Sequence, residues 1–342
     1  MFWQFSPFQT MRLLTNRSDV LDRFRHAGEH HSPILCPNAE TPDEIEGILL
    51  GAQRHLHRQS PPPPSAATPA PTRITIGIGF TASYPDHPQL GRLALPGRSL
   101  ADTAHIWLYW ISNYADRSGL FDDIDVIPFL DHGWAPHDAD LELMHETWFQ
   151  DALGILMFDA SAFDPGENIR LTAAFAARAR ARVVIEACPD KVYEHAELLR
   201  NNLNEADLLS DPSFVENYVR QTGVDLIVPN LGTEHRTASA AALEYRRDLA
   251  CDITRRVGPI QALHGTSSLG GRLGTVGTDG IVKINYYTAM ARAATSALQA
   301  SLPPPPPSTR PLPIVQACGS HIHCTRREAI AQNIAATLAA LS

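Results

Sequence analysis

The stretch IPFLDHGW, residues 127–134, runs through four apolar residues and then stops on Asp131, His132 and Gly133. Polar and apolar positions do not alternate within it. A strand that is apolar throughout is buried on both faces, which is the habit of a parallel sheet covered by helices. Ending such a strand on a carboxylate, an imidazole and a glycine means one of two things. Either the chain simply meets water there, or it delivers chemistry there.

Runs of the same style recur along the chain, at Pro33–Cys36, Ile74–Phe80, Ile124–Leu130, Ile155–Asp159, Val183–Cys188, Val224–Pro229, Pro259–His264 and Ile281–Asn285. Between them, helical periodicity predicts helices such as Thr41–His55, Leu100–Tyr114, Asp138–Asp151, Glu167–Ala181, Pro212–Thr222 and Ser239–Val257. Thr41 before Pro42, and Ser210-Asp211 before Pro212, have the chemistry of helix N-caps. Eight β-then-α units predict a closed (β/α)8 barrel. An open sheet binding a dinucleotide would need a glycine-rich fingerprint after an early strand, and none is present.

The chain has 342 residues, 44% apolar and 19% charged, so a full hydrophobic core is expected. We read a single domain, residues 1–342, interrupted by proline-rich loops at about 58–72 and 302–313. Pro61–Pro64 and Pro303–Pro307 cannot lie inside a helix or a central strand, and surface loops explain them. A net charge of -9 without a basic block argues against a nucleic-acid partner. The five cysteines are scattered, odd in number and without a Cys-x-x-Cys pair, which fits a reducing compartment. The N-terminal MFWQFSPFQTMRLL lacks a basic n-region and a cleavage site, and no apolar run is long enough to cross a bilayer. A soluble, cytoplasmic protein with a small-molecule substrate and no membrane partner is expected.

In a barrel of this kind the site lies at the C-terminal ends of the strands. The polar residues there are Asp131 and His132, Glu186 and Cys188, Asn230 through His235, His264 and Gly265, and Lys283 with Asn285. Histidines on three different strand ends, with a carboxylate and a thiol nearby, suit a divalent metal with an open coordination position. With 15 histidines in the chain, any single one is more simply a packed or surface residue. The joint placement of His132, His235 and His264 favours ligands.

These residues resemble the class II, metal-dependent fructose-bisphosphate aldolase family (the ketose-bisphosphate aldolases). The segments that carry the likeness are LDHG at 130–133, FDASAFDPGENIRLT at 158–172, TGVDLIVPNLGTEH at 222–235, LHGTSS at 263–268, KINYYT at 283–288 and SPILCPN at 32–38. The resemblance implies a zinc or other divalent metal held by His132, His235 and His264, with Asp131 as acid/base beside it. It places Gly265, Ser267 and Thr288 where a substrate phosphate is held, and Asn38 and Asn285 near the ketose. It also suggests a homodimer. The metal would act as a Lewis acid, stabilising the ene-diolate left when a C–C bond breaks.

Departures from the family pattern bear on substrate more than on fold. Where the family has a second glutamate after strand five, this chain keeps Glu186 and then has Cys188, either a metal ligand or a packed thiol. Arg236 stands where a glycine is usual, trading close backbone approach for a guanidinium that binds anions. Tyr287 replaces an aspartate at the sugar-phosphate end. The expected function is a zinc-dependent class II aldolase-type lyase on a small keto or polyol compound. The rivals are a fructose- or tagatose-bisphosphate aldolase proper and, from another class, a pseudoenzyme barrel kept for binding. The remaining candidates have simpler explanations. HIHC at 321–324 reads as a surface turn before the last helix, and His30, His31, His55 and His57 as helix-surface residues. Lys283 has a structural or anion-facing role, while Asp159 and Asp164 are either supports of the site or ordinary strand-end residues.

Overall fold

The computed structural model describes residues 10–59, 73–85, 88–115, 119–191, 208–233, 245–266, 269–302 and 318–342. In chain order these form β1 (Arg12–Leu13), α1 (Arg17–Glu29), β2 (Ile34–Pro37), α2 (Pro42–Gln59), β3 (Ile74–Thr81), α3 (Gln89–Leu93), α4 (Leu100–Ala115), β4 (Ile124–Trp134), α5 (Asp138–His145) and α6 (Thr147–Ala152). There follow β5 (Ile155–Asp159), α7 (Pro165–Ala179), β6 (Val184–Ala187), α8 (Pro212–Thr222), β7 (Leu226–Ile227), α9 (Arg247–Val257) and β8 (Gln261–Leu263). A 3-10 segment (Gly270–Asp279), β9 (Ile281–Tyr286), α10 (Thr288–Ser301) and α11 (Gly319–Leu341) complete the chain.

Every strand pairing is parallel, and the order runs β3-β4-β5-β6-β7-β8-β9-β2, with the short β1 alongside the first half of β4. The two ends of this path approach each other. Asn38, just past β2, bridges Gly79 of β3, and the Ala39 N–H donates to the Gly79 carbonyl at 2.8 Å. The result is an α/β fold with a strongly curled parallel sheet.

Alternation along the strands splits the core into two layers, because successive side chains point to opposite faces. Leu35, Val126 and Leu130 pack outward with helix residues such as Trp107, Phe149 and Ile334. Ile34, Cys36, Ile127, Phe129 and Val184 pack inward, joined by Val20 and Phe24 of α1. Helix α1 therefore covers the N-terminal end of the strands, held by Asn16, whose side chain accepts the Ser18 N–H at 2.9 Å. At that same end Asp125 is fully buried and bonded by Arg12, Arg23 and Arg73 at 2.7–2.8 Å.

The structure corrects several expectations of detail. The segment expected to be one helix over 138–151 is two, α5 and α6, because Glu146 is extended (φ -67, ψ 122). Helix α2 runs on to Gln59, into the segment expected to be loop. His321 and His323 lie inside the opening turns of α11, not in a turn before it, and His323 bonds Glu46 at 2.8 Å. His55 is not a surface residue but is buried, with Ser342 Oγ 3.3 Å from its ring. The strands expected at 224–229 and 259–264 shrink to β7 and β8. Asp211 does cap α8, accepting the Phe214 N–H. The proline runs lie outside the described residues.

Candidate active site

The geometry of the site begins in a β-bulge. Leu130 pairs with Leu156 and Gly133 with Phe158, so β4 spends one residue more than β5 over that interval. His132 takes up the surplus at φ 47, a left-handed conformation that costs a non-glycine residue energy. In a regular strand, neighbouring residues point to opposite faces. Here the bulge turns His132 so that its Nε2 lies 4.0 Å from Asp131 Oδ1, and two consecutive polar side chains serve one site. Gly133 is required next to it. A Cβ at Gly133 would lie 2.3 Å from Met144 Sδ and 2.8 Å from the Met157 carbonyl.

Asp131 is buried and clamped from both sides. Asn38 Nδ2 donates to Oδ2 at 2.8 Å, and Asn285 Nδ2 donates to Oδ1 at 2.7 Å. Burial alone would raise this carboxyl, but His132, His264, Lys283 and the Asn38 amide outweigh it and hold it at about 2. The other ends of the two amides are left available. Asn38 Oδ1 and Asn285 Oδ1 are buried and accept no hydrogen bond from the described residues.

A chain of charge and imidazole crosses the rim. Asp159 Oδ2 accepts from His132 Nδ1 at 2.6 Å, and His132 Nε2 lies 3.2 Å from His264 Nδ1. His264 Nε2 then lies 3.6 Å from Glu186, which is bonded at 2.7 and 2.9 Å by the fully buried Lys283. Each imidazole thus has a carboxylate behind the nitrogen that faces away from the other ring. Burial works against the charged form of His132, yet Asp131, Asp159 and Glu186 raise its pKa; for His264 burial prevails and lowers it. Tyr84 stacks on the His132 ring at 4.3 Å, with Trp134 edge-on to Tyr84.

The donor set fits a divalent cation. Ligand atoms of Asp131, His132 and His264, all buried, lie within 4.8 Å of one another. Two nitrogens each about 2.0 Å from one tetrahedral zinc are about 3.3 Å apart, and the two facing nitrogens here are 3.2 Å apart. A carboxylate behind each ring is the arrangement that orients imidazole ligands.

Of the residues singled out in the sequence, Asn38, Asp131, His132, Glu186, His264 and Asn285 come together at this rim. Cys188 is buried beside them, its ligand atom within 4.8 Å of those of His132 and Asp159. Burial, reinforced by Asp159 and Glu186, pushes its thiol well up. Gly265 has φ 67, and Thr288 opens α10, half-buried. His235, Arg236 and Ser267 lie outside the described residues. Asp159 supports His132, whereas Asp164 is an exposed cap of α7 and takes no part. Lys283 faces Glu186 rather than an anion site.

Sequence reading missed three contributors, Tyr84, Asn168 and Glu40. Tyr84 covers His132, and Asn168 ties the Cys188 and Pro189 carbonyls at 3.0 and 3.1 Å. Glu40 and Tyr287 bond each other beyond the two asparagines. The signal for Glu40 was its position two residues past Asn38 at a strand end.

Comparison with known proteins gives a consistent picture. The family model for fructose-bisphosphate aldolase class-II matches residues 100–336. The chain is 28% identical over 181 residues to the uncharacterized protein YdjI of Escherichia coli (strain K12), covering 51% of this chain and 61% of YdjI. It is 28% identical over 171 residues to a fructose-bisphosphate aldolase of Treponema pallidum (strain Nichols), covering 46% of this chain and 49% of that one. Each alignment therefore spans less than two thirds of its curated relative. The fold resembles the crystal structure of the YdjI aldolase from Escherichia coli K12, with a TM-score of 0.63 and 20% identity over 95% of this chain and 96% of that one. It also resembles fructose-bisphosphate aldolase (Fba) from Campylobacter jejuni, with a TM-score of 0.71 and 13% identity over 97% and 96% of the two chains. Among the described residues, no helix is long and apolar enough to cross a membrane.

Proposed function

The chain belongs to the class II fructose-bisphosphate aldolase family, and from that premise we propose that it is a zinc-dependent lyase making or breaking a C–C bond in a small keto or polyol compound. The observation that carries this reading is the pair of carboxylate-backed imidazoles 3.2 Å apart, beside a carboxylate clamped by two amides. Asn38, bridging β2 to β3, supports reading the curled sheet as a closed (β/α)8 barrel, with the site at its C-terminal rim.

His132 and His264, with His235 as the third imidazole expected from the resemblance, would hold the cation. A divalent metal bound there supplies Lewis-acid polarisation of a substrate carbonyl. Asp131 moves the proton at the reacting hydroxyl. Its two amide donors fix the carboxylate in one orientation, while the charges of His132, His264 and Lys283 outweigh burial and keep it ionised, ready to accept. The unmatched oxygens of Asn38 and Asn285 accept hydrogen bonds from substrate hydroxyls, which favours a polyol-like compound. Burial of the whole set excludes water from the reacting carbons. We further read the protein as a cytoplasmic homodimer, which sedimentation at micromolar concentration would test.

Metal analysis is the first test. Wild type is expected to hold about one zinc per chain, with His264→Ala losing it and chelator lowering the melting temperature of wild type alone. The second test is exchange of carbon-bound hydrogen for deuterium in dihydroxyacetone and its phosphate, followed by NMR in D2O. Bound zinc with exchange supports the lyase. Absence of zinc, together with indifference to chelator, would instead favour a barrel retained only for binding.

A further inference from the structure

The last turn of α1 and its cap carry His26, Glu29 and His30. Spacings of three and four residues bring these side chains to one face of the helix. All three are exposed, and their ligand atoms lie within 4.8 Å of one another. The rings of His26 and His30 lie side by side, with centroids 4.0 Å apart. His26 lines a cleft with Ile34 and Ile74, the first residues of β2 and β3. The group is therefore at the N-terminal end of the sheet, away from the His132 and His264 rim.

This turn is held from behind. Ala27 and Gly28, between the two histidines, are buried, and a Cβ at Gly28 would lie 2.9 Å from Pro259 Cγ. The Ser32 N–H donates to the Ala27 carbonyl at 3.0 Å and fixes the chain as it leaves the helix. The backbone that bears the ligands thus needs no rearrangement to receive an ion, and only side-chain freedom is lost. His30 is oriented further, because its Nδ1 lies 3.0 Å from the His26 carbonyl oxygen. A carbonyl only accepts, so Nδ1 carries the proton and Nε2 keeps the lone pair. A backbone carbonyl behind the far nitrogen is the usual support of a ligating imidazole.

The charges suit a cation. The carbonyl end of a helix favours positive charge, and Glu29 adds a carboxylate. Arg25, one turn before Glu29, bonds Asp22 at 2.5 Å instead. Two imidazoles and one carboxylate match zinc or copper(II), whereas calcium and magnesium take oxygen ligands. Exposure makes the ion exchangeable, so the site fills when metal is added and empties on washing.

We propose that His26, Glu29 and His30 form a second, exchangeable site for a transition-metal dication, which ties together the last turn of α1; this site is independent of the aldol reading above. Tag-free wild type, loaded with zinc and freed of excess, is titrated with further zinc by calorimetry. A further binding event is expected. His26→Ala and His30→Ala are each expected to weaken it about tenfold or more, since a ligand matters at least as much as the groups that orient one. Deuterium exchange into dihydroxyacetone should not change in either variant. His264→Ala, which removes a rim ligand, is expected to keep the event. Copper(II) bound to His264→Ala is expected to show two imidazole nitrogens by electron paramagnetic resonance, and one when His30→Ala is added. No event beyond the rim zinc, or an unaltered isotherm in a folded His30→Ala, overturns the site. If wild type holds no rim zinc yet binds an ion that His30→Ala loses, the metal of the aldol reading fails and the α1 site stands.

Discussion

Asp131 and Lys283 are both buried charges, yet they do opposite kinds of work. Asp131 is clamped by two amides, lies beside the facing imidazoles and is held ionised by the charges of His132, His264 and Lys283. Replacing it with Asn preserves size and removes the charge. Exchange into a donor ketone is then expected to fall about 10²–10⁴-fold, the usual contribution of general acid–base catalysis, with zinc content unchanged by elemental analysis. Lys283 neutralises Glu186 with no solvent exposure on either side chain. Lys283→Met strands a buried carboxylate and is expected to cost about 3–5 kcal/mol in urea unfolding. Adding Glu186→Gln removes that stranded charge, so the double variant is expected to recover most of the loss.

At the scale of elements, two close approaches depend on glycine. The bulge in β4 needs Gly133 because Met144, Leu130 and the Met157 carbonyl fill the space of a Cβ. Gly133→Ala is expected to destabilise by about 2 kcal/mol and to lower zinc stoichiometry, since any relief of the clash shifts His132. Helices α2 and α11 meet through Gly47 and Gly51, whose missing Cβ atoms leave room for Ile330 and Ile334. Gly51→Val is expected to cost about 1–3 kcal/mol in urea unfolding without changing zinc content. The contrast separates a glycine that shapes the site from one that only packs the scaffold.

Taken whole, the molecule gathers the candidate site at one end of the sheet and a buried charge cluster at the other. The N-terminal end of the sheet gathers Arg12, Arg23 and Arg73 on Asp125, far in the fold from the His132 and His264 rim. Burial raises the Asp125 carboxyl, but the bonds from Arg12 and Arg73 outweigh it and leave its pKa lowered. A depressed carboxylate pKa stabilises the fold above the unfolded value of about 3.9 and loses that effect as pH falls through the folded value. Asp125→Asn is therefore expected to be less stable than wild type at pH 7 by about 2 kcal/mol, discounted because Arg12 and Arg23 are partly exposed to solvent. The difference is expected to shrink toward zero as pH falls through the lowered folded-state value, followed by the pH dependence of urea unfolding. Exchange activity at pH 7 and 20 °C should not change.

The sequence by itself determined the alternation of buried strands and helices, the parallel sheet, and the placement of Asp131, His132, His264, Asn38 and Asn285 at strand ends. Those features are legible because apolar runs, caps and strand termini are local, and because six segments carry the family likeness in order. Only the tertiary structure decided how the polar groups engage one another. It set Asp159 behind His132, Glu186 between His264 and Lys283, and Glu40 against Tyr287. The residues in the last two ion or hydrogen-bonded pairs are 97 and 247 positions apart in the chain. The bulge that turns His132 toward Asp131 is a register difference between two strands, which neither strand encodes alone. Contacts of that range form only when the sheet curls, so the arrangement of the rim is a property of the tertiary packing and its residue types a property of the chain.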